Sequence, residues 1–600
     1  LATLPPLVLI AVASGEAQPF DVVTLVSPHE VEGGLFGSVV AGAGDVDSDG
    51  IPDVIVGEPM NDEQFQTGEG RAYVFSGADG DLLLELVSPN AQYSGQFGVR
   101  VAAAGDVDQD GFGDLVVGAP GEDPGASPIL AGRAYLFSGR DGSVLLELAS
   151  PHEEKWGLFG SSVAGVGDLD RDGVPDVAVG AMDSPGTSPS GSGRVYVVSG
   201  RDGALLLELS SPNEEEGGAF SGVSGAGDVD GDGLPDLIVS ARGEDPGDSP
   251  ENAGRVYVFS GQGGALLHTL VSPNEQAYAL WGKAVGAGDV DQDGFDDVMI
   301  GAPDEDSDTG LENVGRAYVF SGQDGSLVFQ LASPHEQYRG AFGQVSGAGD
   351  VDGDGAPDLI VGAGGEFVGS GGRAYVFSGK DASLLHELVP PPGEGGGFGG
   401  AVAALGDVNS DAHADLVVGA PIASPDTGPV SAGRAYLFVS GGARVGVNSG
   451  GLAYTDAGGR LFLADQPYAA GSFGYVGGRR LRFNHAIEGT ADDRLYQDLR
   501  LTREGYFSYR FDLAKAATYN VTLHLMAPRL AGVGAVVMDV QAEGQTFLDD
   551  LDVTAEAGGV YHALVKTLAV GVSDGRLDIR FRAVNGAALV CAIAVEEQSP

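Results

Sequence analysis

The stretch GDVDSDGIPDVIVGEP, residues 44–59, decides how the rest of the chain is read. It places acids at Asp45, Asp47, Asp49 and Asp53 around Gly50, then runs straight into a short Val/Ile segment. An acidic, glycine-bearing turn followed at once by a β-prone apolar run marks a tight turn entering a strand. The same phrase returns six times. Its first Asp stands at Asp45, Asp106, Asp168, Asp228, Asp289, Asp350 and Asp407, a period of 57 to 62 residues. The Arg of a GRAYVF-type run keeps step as Arg71, Arg133, Arg194, Arg255, Arg316, Arg373 and Arg434.

A period of that length indicates a repeat architecture, and each unit holds four short strand-like runs. Four antiparallel strands per unit, arranged radially, give a β-propeller, which hides its sheet edges. The ends of the array predict how the ring closes. The seventh unit lacks its LLLELVSP strand, while the chain opens with a stray one, DVVTLVSPHE at 21–30. The N-terminal strand is therefore expected to complete the seventh blade. The predicted fold class is all-β: a seven-bladed propeller over 18–440, a linker at 441–444, and a C-terminal β-sandwich of jelly-roll type over 445–600. Residues 1–17, short and apolar, read as the remnant of a signal peptide.

Composition narrows the function. Eighty-six acidic residues against 31 basic ones give a net charge of −55. No basic stripe exists to displace the counterions of nucleic acid, so that partner is excluded. No stretch after the N-terminus is long and apolar enough for an integral membrane segment. A single Cys rules out a disulfide scaffold. The chain is expected to be exported, to the extracellular space or the cell surface.

The acids are concentrated where a hard cation would sit. Calcium takes six to eight oxygens at flexible geometry, and DxDxDGxxD supplies carboxylates at positions 1, 3, 5 and 9, with a Gly at position 6 for a left-handed turn. The candidate ligands are Asp45, Asp47, Asp49 and Asp53; Asp106, Asp108, Asp110 and Asp114; Asp168, Asp170, Asp172 and Asp176; Asp228, Asp230, Asp232 and Asp236; Asp289, Asp291, Asp293 and Asp297; Asp350, Asp352, Asp354 and Asp358; and Asp407, Asn409, Asp411 and Asp415. Up to seven calcium ions are expected. The seventh turn, with Asn409 and with Ala412 in place of Gly, is the weakest site. Seven ions would bring the net charge from −55 only to −41.

Connectivity assigns the remaining loops. The Asp turns share one end of the blades with the SGxDG turns. The other end receives the second-to-third-strand loops and the blade linkers, which carry Tyr93, Trp156, Tyr278 and Tyr338. These rings either pad the joints between blades or face a ligand. His29, His152 and His335 recur at one SPHE position that is Asn elsewhere, which indicates a role in the turn.

Phe36-Gly37, the DVDSDGIPD turn and Val56-Gly57-Glu58-Pro59, repeated in every unit, resemble the FG-GAP repeats of the integrin α-subunit propeller. The resemblance implies seven blades with calcium between the first and second strands. Beyond residue 445, VNSGGLAYTDAGG, FLADQPY, Leu495-Tyr496-Gln497, DVQAEGQTFLDDLDV and VNGAALVCAIAV resemble the malectin family. That implies a carbohydrate-binding sandwich in which Tyr496 matches a sugar-contacting Tyr and Asn585 replaces an Asp. The family's aromatic pair is replaced by Ala527-Pro528-Arg529-Leu530.

The function expected from these readings is an exported calcium-binding adhesion or recognition protein whose partner is a glycan or glycoprotein. The alternative is a structural subunit that self-associates into an extracellular assembly or filament. A polysaccharide-degrading enzyme ranks below both, because no Ser-His-Asp or HExxH arrangement is present, and catalysis is not expected.

Overall fold

The Val/Ile/Leu runs that follow the Asp turns are apolar at nearly every position, as strands buried on both faces must be. The computed structural model describes residues 20–61, 68–123, 125, 128–182, 190–245, 250–279, 281–307, 309–366, 371–391, 395–409, 411, 413–424, 429–440, 445–449, 454–455, 461–468, 473–482, 487, 490, 493–503, 505–513, 518–528, 533–573 and 575–597. The expectations placed on 1–17 and on 441–444 lie outside them. The chain divides into two compact units, Val22–Val439 and Ser440–Pro600.

The first unit contains seven four-stranded sheets. In the first blade the strands are Val39–Gly44, Asp53–Glu58, Arg71–Phe75 and Leu82–Leu86, paired antiparallel in sequence order. The second strand is buried throughout in all seven blades. The fourth strand, whose first residue faces solvent in the first five blades and whose last is buried, forms the outer edge of the blade. First strands of successive blades pack against one another and close the circle, Val39–Gly44 meeting Ala401–Gly406. Their Ala and Gly content lets seven backbones converge on one axis.

Ring closure follows the offset in the sequence. The last sheet runs Phe20–Leu25, Arg434–Ser440, Asp415–Ala420, Ala401–Gly406, so the N-terminal strand supplies its outer edge. Cores form between blades: Leu25, Phe36, Val54, Tyr73 and Phe75 cluster with Leu405, Val408 and Leu437 of the seventh blade. The Phe of each FG pair packs against the GRAYVF-type strand of its own blade, edge-on where that strand carries a Phe, as Phe36 does on Phe75 at 5.9 Å. In the fifth blade Trp281 takes that place, fully buried against Tyr318 and Phe320. Gly70 shows why the strand opens on glycine: its φ is +85°, and a Cβ there would lie 2.0 Å from the Phe97 carbonyl oxygen of the next blade.

The second unit is a β-sandwich. A six-stranded sheet runs Tyr454–Thr455, Leu461–Ala464, Val445–Asn448, Ala592–Glu597, Thr518–Met526, Ala563–Gly571. It faces a five-stranded sheet of Phe473–Val476, Tyr506–Asp512, Arg576–Asn585, Val537–Ala542 and Gln545–Asp552. Val521, Leu523 and Leu525 from one sheet and Phe507, Tyr509, Phe511, Ile579 and Phe581 from the other form a single core. Two short helices, Asp493–Gln497 and Val553–Glu556, interrupt the strands. The second is capped by Asp552, whose carboxylate accepts from Thr554 N and Ala555 N.

Candidate metal centre

Each acidic turn is folded by its own carboxylates. Asp45 accepts from Asp49 N at 3.1 Å and Gly50 N at 3.0 Å, curling the loop over the first residue. Gly50 sits at φ 87°, the left-handed position expected for the sixth residue. Asp53 ties the turn to the rest of the blade, since Val46 N donates to its Oδ2 at 2.7 Å and Gly77 N, in the turn before the fourth strand, to its Oδ1 at 3.0 Å. The same pair of bonds recurs at Asp114, Asp176, Asp236, Asp297 and Asp358.

This arrangement brings three carboxylates to one point. In the first five turns the first, third and ninth residues each offer an oxygen within 4.8 Å of the other two: Asp45, Asp47 and Asp53; Asp106, Asp108 and Asp114; Asp168, Asp170 and Asp176; Asp228, Asp230 and Asp236; Asp289, Asp291 and Asp297. The fifth-position side chains are not among these groups. Asp49 Oδ1 instead accepts from Ile51 N at 2.7 Å. Asp110 and Asp354 face Arg140 at 3.7 Å and Lys380 at 3.4 Å, and Asp172 bonds Arg201. In the seventh turn Asn409 donates to Asp411 Oδ2 at 3.2 Å, turning that side chain toward its neighbour.

An all-oxygen set carrying three negative charges, one of them from a buried residue, fits a hard divalent cation of calcium's type. Burial pushes Asp53, Asp114, Asp176, Asp236, Asp297 and Asp358 up to about 6, against backbone donors that favour the ionised form. A bound cation beside such a carboxylate shifts the balance back to the anion. Turns of neighbouring blades are also joined to one another. Ser48 Oγ donates to the Gly111 carbonyl at 2.7 Å, and Gly113 N to the Asp45 carbonyl at 2.8 Å.

The opposite end of the blades holds a second repeated network that was not read from the sequence. Glu58 ends the second strand of its blade, Glu122, Glu244, Glu305 and Glu366 lie three residues beyond the ends of theirs, and all five are buried. Tyr135 OH donates to Glu122 at 2.5 Å, Tyr257 OH to Glu244 at 2.5 Å and Tyr318 OH to Glu305 at 2.8 Å. Ser27 and Ser88, at the ends of outer strands, reach Glu58 and Glu122 across the blade joint. The recurrence of Glu three residues past the last Ala of the second strand, at Glu122, Glu244, Glu305 and Glu366, was the signal available for it. The SPHE histidines also act across joints: His29, His152 and His335 meet Glu85, Glu208 and Glu387 of the following blade at 3.3, 3.3 and 3.2 Å.

Two further expectations concern recognition. Tyr93, Trp156, Tyr278 and Tyr338 are 75, 56, 53 and 54 % exposed, so they do not pad the joints. Trp156 and Tyr278 adopt φ of 69° and 60°, and each N–H donates to a loop carbonyl, Ile129 and Glu251. In the sandwich, Tyr496 is 2 % exposed and its hydroxyl pairs with His524 Nδ1 at 2.9 Å, which makes it a core residue with no open face. Asn585 lies at the exposed end of Arg576–Asn585, its amide donating to the Gly534 carbonyl at 2.6 Å. Asp465 of FLADQPY is held by Arg500 at 2.5 Å and by Tyr509 at 2.8 Å.

Comparison with known proteins places these features in context. The FG-GAP repeat profile matches residues 36–75, 97–142, 159–198, 220–259, 281–320, 342–377 and 398–438, and the Malectin domain profile matches 444–600. Among curated proteins, the chain is 30 % identical to integrin alpha-5 of Xenopus laevis over 266 residues, 42 % of this chain and 24 % of that one. It is 36 % identical to integrin alpha-2 of Bos taurus over 163 residues, 25 % of this chain and 13 % of that one. The chain thus spans less than a quarter of the length of these relatives. Among solved structures, a Bacteroides uniformis beta-glucuronidase aligns with a TM-score of 0.25 at 20 % identity, over 38 % of this chain and 27 % of that one.

Proposed function

Because this chain carries seven FG-GAP repeats followed by a malectin domain, we propose that it is an extracellular recognition protein whose propeller is stiffened by calcium and whose ligand is a glycan. The carboxylate triads carry this reading: the same three residues meet in five consecutive turns, held by the same backbone bonds. Asp45, Asp47 and Asp53, with their counterparts, would hold the ion. Calcium would bind the folded turn and not the unfolded one, adding its binding free energy to the stability of the ring.

Recognition is assigned to the other end of the blades. Four exposed rings there offer flat apolar faces of the kind that stack on sugars, and two of them occupy backbone positions that favour glycine. Among the described residues no helix is long and apolar enough to cross a membrane. In the sandwich, Asn585 is the sequence-derived candidate that remains exposed, and Tyr496 supports the site from within the core.

A glycan array probed with the full chain, in millimolar calcium and again in EGTA, tests the reading. Calcium-dependent binding to a defined set of glycans is the expected result. A chain that takes up calcium with no glycan bound under either condition would remove the recognition role and leave a structural one.

A further inference from the structure

The axis of the propeller carries a charge pattern opposite to that of the rest of the chain. Seven first strands surround it: Val39–Gly44, Arg100–Gly105, Ser162–Gly167, Phe220–Gly227, Lys283–Gly288, Phe342–Gly349 and Ala401–Gly406. In a protein of net charge −55, these strands contain two charged residues, Arg100 and Lys283, and both are cations. Each is the first residue of its strand, so both lie at the end of the channel away from the Asp turns.

A third cation joins them. Arg242 directly follows the second strand of the fourth blade, at the position held elsewhere by Pro59, Pro120, Met182, Pro303, Gly364 and Pro421. Its side chain lies over Gly282, where an added Cβ would be 3.2 Å from Arg242 Cγ, and so beside Lys283. Arg100 comes from the second blade, across the axis, yet its charge bears on both Arg242 and Lys283. Burial, then Arg242 and Arg100, lower the Lys283 ammonium to about 7. Among the described residues none of the three has a carboxylate within ion-pair distance. Their polar contacts are Arg100 with the Val99 carbonyl and Lys283 with Gln344.

Three like charges, partly withdrawn from water and without an acidic partner, repel one another and lack a counter-ion. A cavity of about 390 Å³ opens at the opposite end of the axis, lined by Gly165, Gly167, Gly225, Gly227, Gly288 and Asp296, and the three cations are not part of its wall.

We propose that the loop end of the axial channel is an oxyanion site, in which Arg100, Arg242 and Lys283 hold a carboxylate or sulfate group of an acidic glycan. The choice of a glycan rests on the recognition role proposed above, because the exposed rings Tyr93, Trp156, Tyr278 and Tyr338 belong to the same end of the blades. Sugar rings would stack outside while their acidic substituent enters the channel. The surrounding negative charge selects against polyanions that cannot place a group there.

The test uses the full chain in saturating calcium at pH 6, where Lys283 is protonated. The probes are a sulfated and a uronate oligosaccharide, a neutral oligosaccharide of equal length, oligoglutamate, and inorganic sulfate. R100Q, R242P and K283Q are compared with the wild type; the proline of R242P already stands at this position in four other blades. Binding of the acidic oligosaccharides, weakened about tenfold or more by each variant with calcium uptake unchanged, is the expected result. Acidic-glycan binding that all three variants leave intact overturns the channel site and spares the recognition role. Binding of oligoglutamate in preference to the sugars overturns the choice of ligand. If the wild type binds no glycan, the recognition role fails. The oxyanion site then stands only if sulfate raises the melting temperature above chloride in the wild type and not in K283Q.

Discussion

Arg434 Nη1 lies 2.6 Å from Glu30 Oε1, and this pair reproduces one found in the interior of the array. Arg133 meets Glu153 at 2.8 Å, Arg194 meets Glu214 at 2.7 Å, and Arg255 and Arg316 meet Glu275 and Glu336 at 2.8 Å. In each, the Arg of a third strand grips the Glu that follows the fourth strand of the same blade. At Arg434 that fourth strand comes from the start of the chain, so the ring closes through the contact that the second to fifth blades make locally.

E30A should therefore destabilise the protein as much as E153A does, by about 1–2 kcal/mol, since the Arg is buried and the Glu partly exposed. Urea titrations of the two variants check this. A silent E30A beside a destabilising E153A would mean that the N-terminal strand does not hold the ring.

Two acids of one turn should behave differently. Asp53 accepts two backbone N–H groups, so D53A should cost about 1–3 kcal/mol with or without calcium, as buried donors lose their partner. Asp47 is exposed, and D47A should lower the melting temperature in calcium while leaving it unchanged in EGTA. Calorimetry in both buffers separates the two, and D407A in the seventh turn should show the smallest calcium-dependent loss.

The buried glutamates set a pH dependence. Burial raises Glu58 and Glu244 from 4.5 to about 7, outweighing the hydrogen bonds that oppose it. The folded state then holds more protons than the unfolded state between about 4.5 and 7, so stability falls as pH rises through that window. E244Q should flatten its share of the slope and raise the melting temperature at pH 8. An unchanged slope would show that Glu244 titrates alike in both states.

Trp156 and Tyr278 occupy left-handed backbone positions filled by glycine at Gly33 and Gly217, each donating its N–H to the same kind of loop carbonyl. W156G and Y278G should relieve about 1 kcal/mol of strain each. The same changes should weaken glycan binding, by loss of a stacking face. Melting curves and array intensities read in parallel test this, and a variant that is less stable with binding intact would argue against a recognition role for the ring.

The sequence by itself determined whatever is built within a few residues and then repeated. A turn of nine residues is fixed by its own sterics and hydrogen bonds, so Asp45, Gly50 and Asp53 could be assigned from spacing alone. The count of seven and the missing outer strand together pointed to closure by the stray strand in 21–30, and Phe20–Leu25 fills that place. What only the tertiary structure decided depends on where distant segments meet. Asp49 was expected in the ligand shell, and its Oδ1 accepts from Ile51 N within the turn, a matter of side-chain direction that spacing does not express. Tyr496 matched a family position yet lies in the core, because burial is set by the strands packed over it. Arg100, Arg242 and Lys283 are separated by 142 and 41 residues, and nothing local relates them. They face one another because seven blades of equal width bring their first strands to a single axis.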